Sequence, residues 1–249
     1  MMKRVAALFV ATGLLAACSF NVKLPPLTSQ SPTETAATDL LEFAITQRNS
    51  VAEANEVISE ITYPKFALAA GDAEVGNLIV DVLNESVTLA VLDFQVFAED
   101  SYNGMEPDFK SSLRITARQT EVNEKLAMFE LLSCDYLAGA AHGNCVSESF
   151  IFDTGNGTRI TLIDAIDPDL EAEFFDYVTS EIFAELDSDE LFPRAEVREY
   201  MSIDAFINFW LYTDSVTIKF SPYAIAPYAS GEQEIYLELE EIVSFLDAT

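Results

Sequence analysis

An α+β fold is what this sequence predicts: antiparallel sheets packed against helices in two closely associated subdomains. Three observations carry that reading. Apolar residues recur at steps of three and four over residues 72–97 and again over 169–186. They recur at steps of two over residues 111–136. Helical and strand periods therefore occur in blocks, the mark of segregated layers. Half of the 249 residues are hydrophobic, including 18 Phe and 9 Tyr. That supplies one sizeable core or two small ones and excludes a disordered chain.

The N-terminus reads as an address. Lys3 and Arg4 precede an apolar run over residues 5–17, too short at about 13 residues to span a bilayer as a helix. Residues 1–17 thus have the order of a secretory signal peptide, and Leu15-Ala16-Ala17-Cys18 resembles the bacterial lipobox. Cys18 is the expected lipidated residue. Ser19 rather than Asp follows it, which by resemblance to sorting rules favours the outer membrane, facing the periplasm. Residues 18–38 hold three prolines with several Ser and Thr and read as a flexible tether.

The folded part begins near residue 39. Residues 42–47 and 58–63 alternate and are expected as strands, with helix as the competing reading over 39–60. Residues 72–97 carry Val75, Leu78, Ile79, Val82, Leu83, Val87, Val91 and Phe94 at helical spacing, with Asp72 placed to cap the N-terminus. Asn103-Gly104 and Pro107 mark a loop and the expected boundary between a subdomain at 39–107 and one at 108–249. Leu113, Ile115 and Ala117 then alternate with polar residues, Asn123 interrupts, and 126–136 resumes, which predicts a hairpin. Residues 139–143 form a turn, 146–153 a strand, and Gly155-Asn156-Gly157 turns into 159–162. Leu170, Phe174, Tyr177, Val178 and Ile182 line a second helix. A hairpin is expected from 206–212 and 216–220, then a strand at 234–237 and a terminal helix at 240–246.

Charge excludes whole classes of partner. The chain has 13 Lys and Arg against 42 Asp and Glu, a net charge of −29. Such a surface repels nucleic acid and anionic headgroups, so membrane contact is expected through the lipid anchor alone. Removing residues 1–17 takes away two bases and no acid. His142 is the single histidine, which excludes multi-histidine metal sites, and no cofactor or metal is expected.

Export places Cys134 and Cys145 in an oxidising compartment, where a pair tends to form a disulfide. They flank the Gly-rich turn, and closing so short a loop contributes about 2–3 kcal/mol. Two buried free thiols or a reactive pair are the alternatives.

Few residues carry chemistry. His142 fits either a general base or a ring that holds its turn by a hydrogen bond, and no nucleophile elbow accompanies it. Residues 153–158 have the look of a calcium loop, but Gly155 and Gly157 occupy ligand positions, so a strand turn explains them better. The acidic runs 164–169 and 187–190 supply carboxylates of the kind glycoside hydrolysis uses, yet both flank helix ends, where acids serve as caps. The most distinctive segment is 221–231, with Tyr223 and Tyr228 among prolines and small residues. It is either an aromatic binding loop or a loop packed inward over the core.

Several motifs together resemble the RsiV-like extracytoplasmic domain family, with the PdaC-like domain that precedes it. They are Gly139-Ala140-Ala141-His142-Gly143, then Phe152-Asp153-Thr154-Gly155 followed by Ile160, Leu162 and Asp164. Phe209-Trp210-Leu211-Tyr212-Thr213-Asp214 and Tyr223-Ala224-Ile225-Ala226-Pro227-Tyr228-Ala229-Ser230-Gly231 complete the set, and Tyr63-Pro64 resembles the preceding domain. The likeness covers residues 40–246. Ala140 stands where the family has Gly, and Ala224 where it has Glu.

The resemblance implies an envelope-anchored binding lipoprotein that recognises or inhibits lysozyme or binds peptidoglycan. Tyr223, Tyr228 and His142 are then the expected contact residues, and no catalytic residue is assigned. A carboxylate-dependent hydrolase of wall glycans and a structural envelope lipoprotein are the alternatives.

Overall fold

The computed structural model describes residues 40–54, 57–100, 110–187, 189–201 and 208–246. The signal segment, Cys18 and the tether lie outside the described residues. So does the 101–109 connection that contains Asn103-Gly104 and Pro107.

Asp72 opens the long helix α1 (Ala73–Asp100) as expected, its Oδ1 accepting the N–H groups of Glu74 at 2.8 Å and Val75 at 3.1 Å. Two of the orphan donors of the first turn are thereby satisfied. Ile79, Leu83, Val87 and Phe94 form its buried stripe. The helix lies on the hairpin of β1 (Glu42–Ala54) and β2 (Val57–Ala70). Asn84 fixes the contact: its Oδ1 accepts the Phe66 N–H at 3.0 Å and its Nδ2 donates to the Phe66 carbonyl at 3.1 Å. Gly76 permits the approach, since a Cβ there would come within 2.4 Å of the Leu68 side chain.

α1 also carries the chain over to β3 (Ser111–Val122), which pairs with β2 in parallel. A parallel pair needs such a crossover. The six-stranded sheet, in order β1 to β6, is therefore antiparallel everywhere except at this pair, a departure from the all-antiparallel expectation. β3 and β4 (Leu126–Tyr136) make the expected hairpin around Asn123, whose Oδ1 accepts the N–H groups of Lys125 and Leu126. β5 (Asn144–Asp153) starts two residues earlier than its alternation suggests, and β6 (Arg159–Ile160) is only two residues long.

β4 and β5 hold two cores apart. Ala127, Phe129, Leu131, Phe150 and Phe152 face the α1 side. Met128 and Ile151, between them, face a second core. A strand buried on both faces reads as a continuous apolar run, as residues 126–129 and 150–152 do. The second core is closed by α2 (Glu171–Glu185), α3 (Arg194–Met201) and a sheet of β7 (Phe209–Leu211), β8 (Ser215–Phe220) and β9 (Gln233–Glu238). A short α4 (Leu239–Ile242) and a 3-10 turn at Val243–Phe245 replace the single terminal helix expected. The two cores thus lie on opposite faces of one sheet.

α3 has no counterpart in the sequence expectation. It is eight residues long and buries only Val197 and Met201, too few repeats for a period to show.

Candidate functional site

Cys134 and Cys145 sit opposite each other on β4 and β5 and form a disulfide, with Cα atoms 4.1 Å apart. The turn between the strands is built on close backbone contact. Ala140 N–H donates to the Leu137 carbonyl at 2.9 Å, and the Tyr136 hydroxyl donates to the Ala140 carbonyl at 3.2 Å. A Cβ at Gly143 would meet the Asp135 carbonyl oxygen at 2.6 Å, so only glycine fits there. Burial pushes the Asp135 carboxyl above the usual range, opposed by a hydrogen bond from backbone. Asn144 Oδ1 is buried without a hydrogen-bond partner beside it.

The 221–231 loop approaches this turn from the second sheet. Ile225 and Ala226 are buried and anchor it, and the Ile225 carbonyl accepts the Phe192 N–H at 2.8 Å. Tyr228 opens a 3-10 turn (Tyr228–Ser230) and donates its hydroxyl to the Gly143 carbonyl at 2.7 Å. Its ring stacks on His142, centroids 3.9 Å apart and planes 20° from parallel. The same Gly143 carbonyl lies 3.0 Å from His142 Nδ1. Tyr223 completes the row, 5.5 Å from Tyr228 and 58% exposed. It sits at φ 70, where among the described residues every other member of the left-handed region is glycine.

This loop lies within a stretch shared with other proteins. Residues 164–240 match the family described as "Protein of unknown function (DUF3298)". A crystal structure of a DUF3298 family member from Bacteroides fragilis superposes with a TM-score of 0.62 at 19% identity, covering 85% of this chain and 95% of that one. One from Pseudomonas aeruginosa superposes at 0.54 with 18% identity, covering 84% and 95%. Both share the fold. No curated protein matches the chain.

The segment that matches DUF3298 contributes Tyr223 and Tyr228, while His142 lies outside it, in the turn between β4 and β5. The three contact residues expected from the sequence therefore come together only where the two sheets meet. The resulting surface is an aromatic row with one tied hydroxyl, one imidazole and an exposed phenol at its end.

The acids of the expected carboxylate runs serve their own turns. Asp164 accepts the Thr161 hydroxyl, Asp167 Oδ1 the Asp169 N–H at 2.9 Å, and Asp187 Oδ1 the Asp189 N–H at 3.0 Å. Residues 153–158 form the expected strand turn: Asp153 Oδ1 accepts the Gly155 N–H at 2.6 Å, and Asn156 Oδ1 the Thr158 N–H at 2.8 Å.

A charged cluster that sequence reasoning missed ties the segment that matches DUF3298 to the first sheet. Glu130 on β4 is buried and pairs with Arg118; it also lies 3.9 Å from Lys219 Nζ on β8. The Lys219 ammonium sits over the Trp210 ring, 4.5 Å from its centroid, and is flanked by Glu232 and Glu234. The signal was one base between two buried apolar residues, Ile218 and Phe220, in an acidic chain. Nothing local named its partner.

Proposed function

We propose that this protein is an exported, lipid-anchored binding module that captures lysozyme, a cationic partner, at the bacterial envelope. One observation carries the reading: Tyr223 is held exposed, in strained backbone, at the end of the His142–Tyr228–Tyr223 row. Non-glycine residues in the left-handed region cost about 1–2 kcal/mol and persist where the surroundings hold them. An aromatic fixed in this way loses little entropy on binding and offers a π-face to an arginine or lysine. The −29 charge supports it further, since it raises the encounter rate with a basic protein. The resemblance to the RsiV-like family selects lysozyme among basic proteins, and the lipobox motif at Cys18 supplies the anchor.

The test is binding of purified protein to an animal lysozyme at about 0.15 M and about 0.5 M salt, where screening shortens from about 8 Å to about 4–5 Å. A basic protein unrelated to lysozyme is the control. The expected result is binding that survives the higher salt, spares the control and is lost in the Tyr223→Ala, Tyr228→Ala double variant. Equal binding of both basic proteins, or none, overturns the assignment. Unchanged affinity in the double variant removes the aromatic row from the interface.

A further inference from the structure

The far side of the second core carries a cleft of about 410 Å³ between α2 and α3, lined by Asp176, Thr179, Ser180, Arg194, Ala195 and Arg198. That volume lies within the range of small-molecule sites, about 300–1,000 Å³. The chain holds only 13 basic residues against 42 acids, and two of them stand one helical turn apart on α3, lining the same cleft. Their situations differ. Arg198 is neutralised: its Nε donates to Asp176 Oδ1 at 2.5 Å and its Nη2 to the Ala172 carbonyl at 3.3 Å, with the guanidinium over Phe175. Arg194 forms no ion pair among the described residues. It donates to Ser180 Oγ at 2.8 Å and lies 5.2 Å from the Phe183 ring centroid.

We propose that this cleft is a carboxylate-binding site, in which Arg194, positioned by Ser180, holds the terminal carboxylate of a short peptide. A guanidinium has five donors in a planar fork, and one hydroxyl contact leaves most of them free to meet a carboxylate edge-on. Ser180 Oγ donates in turn to the Asp176 carbonyl at 2.8 Å, which fixes the hydroxyl that faces Arg194. Phe183 supports the guanidinium plane, so its orientation is set before a ligand arrives. Asp176 selects the ligand's charge. Its carboxylate offsets Arg198, so the cleft presents one net positive charge, that of Arg194, which matches a monoanionic carboxylate better than a dianionic phosphate. Ala195 adds an apolar wall to the cleft, and the volume exceeds what a bare ion needs.

Calorimetric titration of the full chain with N-acetyl-dialanine, its C-terminal amide, acetate and inorganic phosphate tests the proposal. The expected order is the free acid above acetate, with the amide at least tenfold weaker than the acid and phosphate weaker than either carboxylate. Arg194→Gln should weaken the acid at least tenfold and Ser180→Ala severalfold, with unchanged circular dichroism in both. Arg48→Gln, an exposed base on β1, should bind as the unaltered chain does. Equal binding of acid and amide, no binding of the acid at millimolar concentration, or an Arg194→Gln variant that is folded and binds fully overturns the site. Acetate binding as tightly as the peptide acid overturns the peptide as its source, and tighter phosphate binding overturns the charge selection.

Discussion

Tyr228 and Gly143 stand 85 positions apart, and the tyrosine hydroxyl donates to the glycine carbonyl at 2.7 Å. That bond joins the loop of the second sheet to the turn of the first, and it orients the ring on which both His142 and Tyr223 rest. Removing the hydroxyl alone, in Tyr228→Phe, should cost about 1 kcal/mol of stability, the net worth of one hydrogen bond. Urea denaturation reads this directly. A midpoint equal to that of the unaltered chain would show that the bond contributes nothing.

Tyr223 should separate stability from binding. Glycine at this position relieves about 1–2 kcal/mol of left-handed strain and gives back about 0.5–1 kcal/mol through unfolded-state entropy. Tyr223→Gly is therefore expected to leave stability unchanged or raise it by up to about 1.5 kcal/mol, while lysozyme affinity falls. Paired melting and binding measurements check it. A variant that loses both would make the phenol a packing residue.

The Cys134–Cys145 bond closes a loop of sequence separation 11. Chain entropy assigns such a loop about 3 kcal/mol. The double variant Cys134→Ser, Cys145→Ser should lose about that much in chemical denaturation. The aromatic row should also loosen, because Gly143 lies two residues from Cys145. Stability within about 0.5 kcal/mol of the disulfide form, at matched conditions, would contradict the loop-closure account.

Glu130 is 8% exposed and faces Lys219, itself largely covered. Truncating one member of a buried pair leaves the other uncompensated. Glu130→Ala should cost about 3 kcal/mol, the lower end of that effect because Arg118 stays solvated. The accompanying Lys219→Met, Glu130→Met pair should recover most of the loss. Failure of the pair to recover would place the cost in packing rather than in stranded charge.

Burial raises the Asp135 carboxyl pKa above its ordinary 3.8. The folded chain therefore holds this proton more tightly than the unfolded chain. The contribution to stability is complete below about pH 4 and is lost as pH rises through the raised value. Asp135→Asn should accordingly gain stability over the unaltered chain at pH 7, with the difference vanishing near pH 4. Urea midpoints at the two pH values decide it, and a pH-independent difference would mean that the carboxyl titrates normally. Glu148 shifts in the same direction, but the Arg159 guanidinium partly offsets its burial.

Local periods were legible wherever they ran long enough. Asp72 and the stripe from Ile79 to Phe94 declared α1 and its start, and the alternation of Leu113, Ile115 and Ala117 declared β3. The turn at Asn123 was equally plain, because an Asx side chain satisfies its own following backbone. α3 was not legible, since two buried residues make no period. Of the candidate site, Tyr223, Tyr228 and His142 stood out by type and by their settings in a Pro-rich loop and a Gly-rich turn.

The sequence by itself determined the fold class, the helices and strands with strong periods, the acidic surface and the two cysteines placed to bond. Each depends on contacts within a turn, a hairpin or the overall composition. Only the tertiary structure decided that β2 and β3 run parallel, that β4 and β5 divide two cores, and that Tyr228 stacks on His142. It also decided which carboxylate lies beside Lys219. Those relationships join residues dozens of positions apart, and their energies arise from faces that meet only after the sheets have packed.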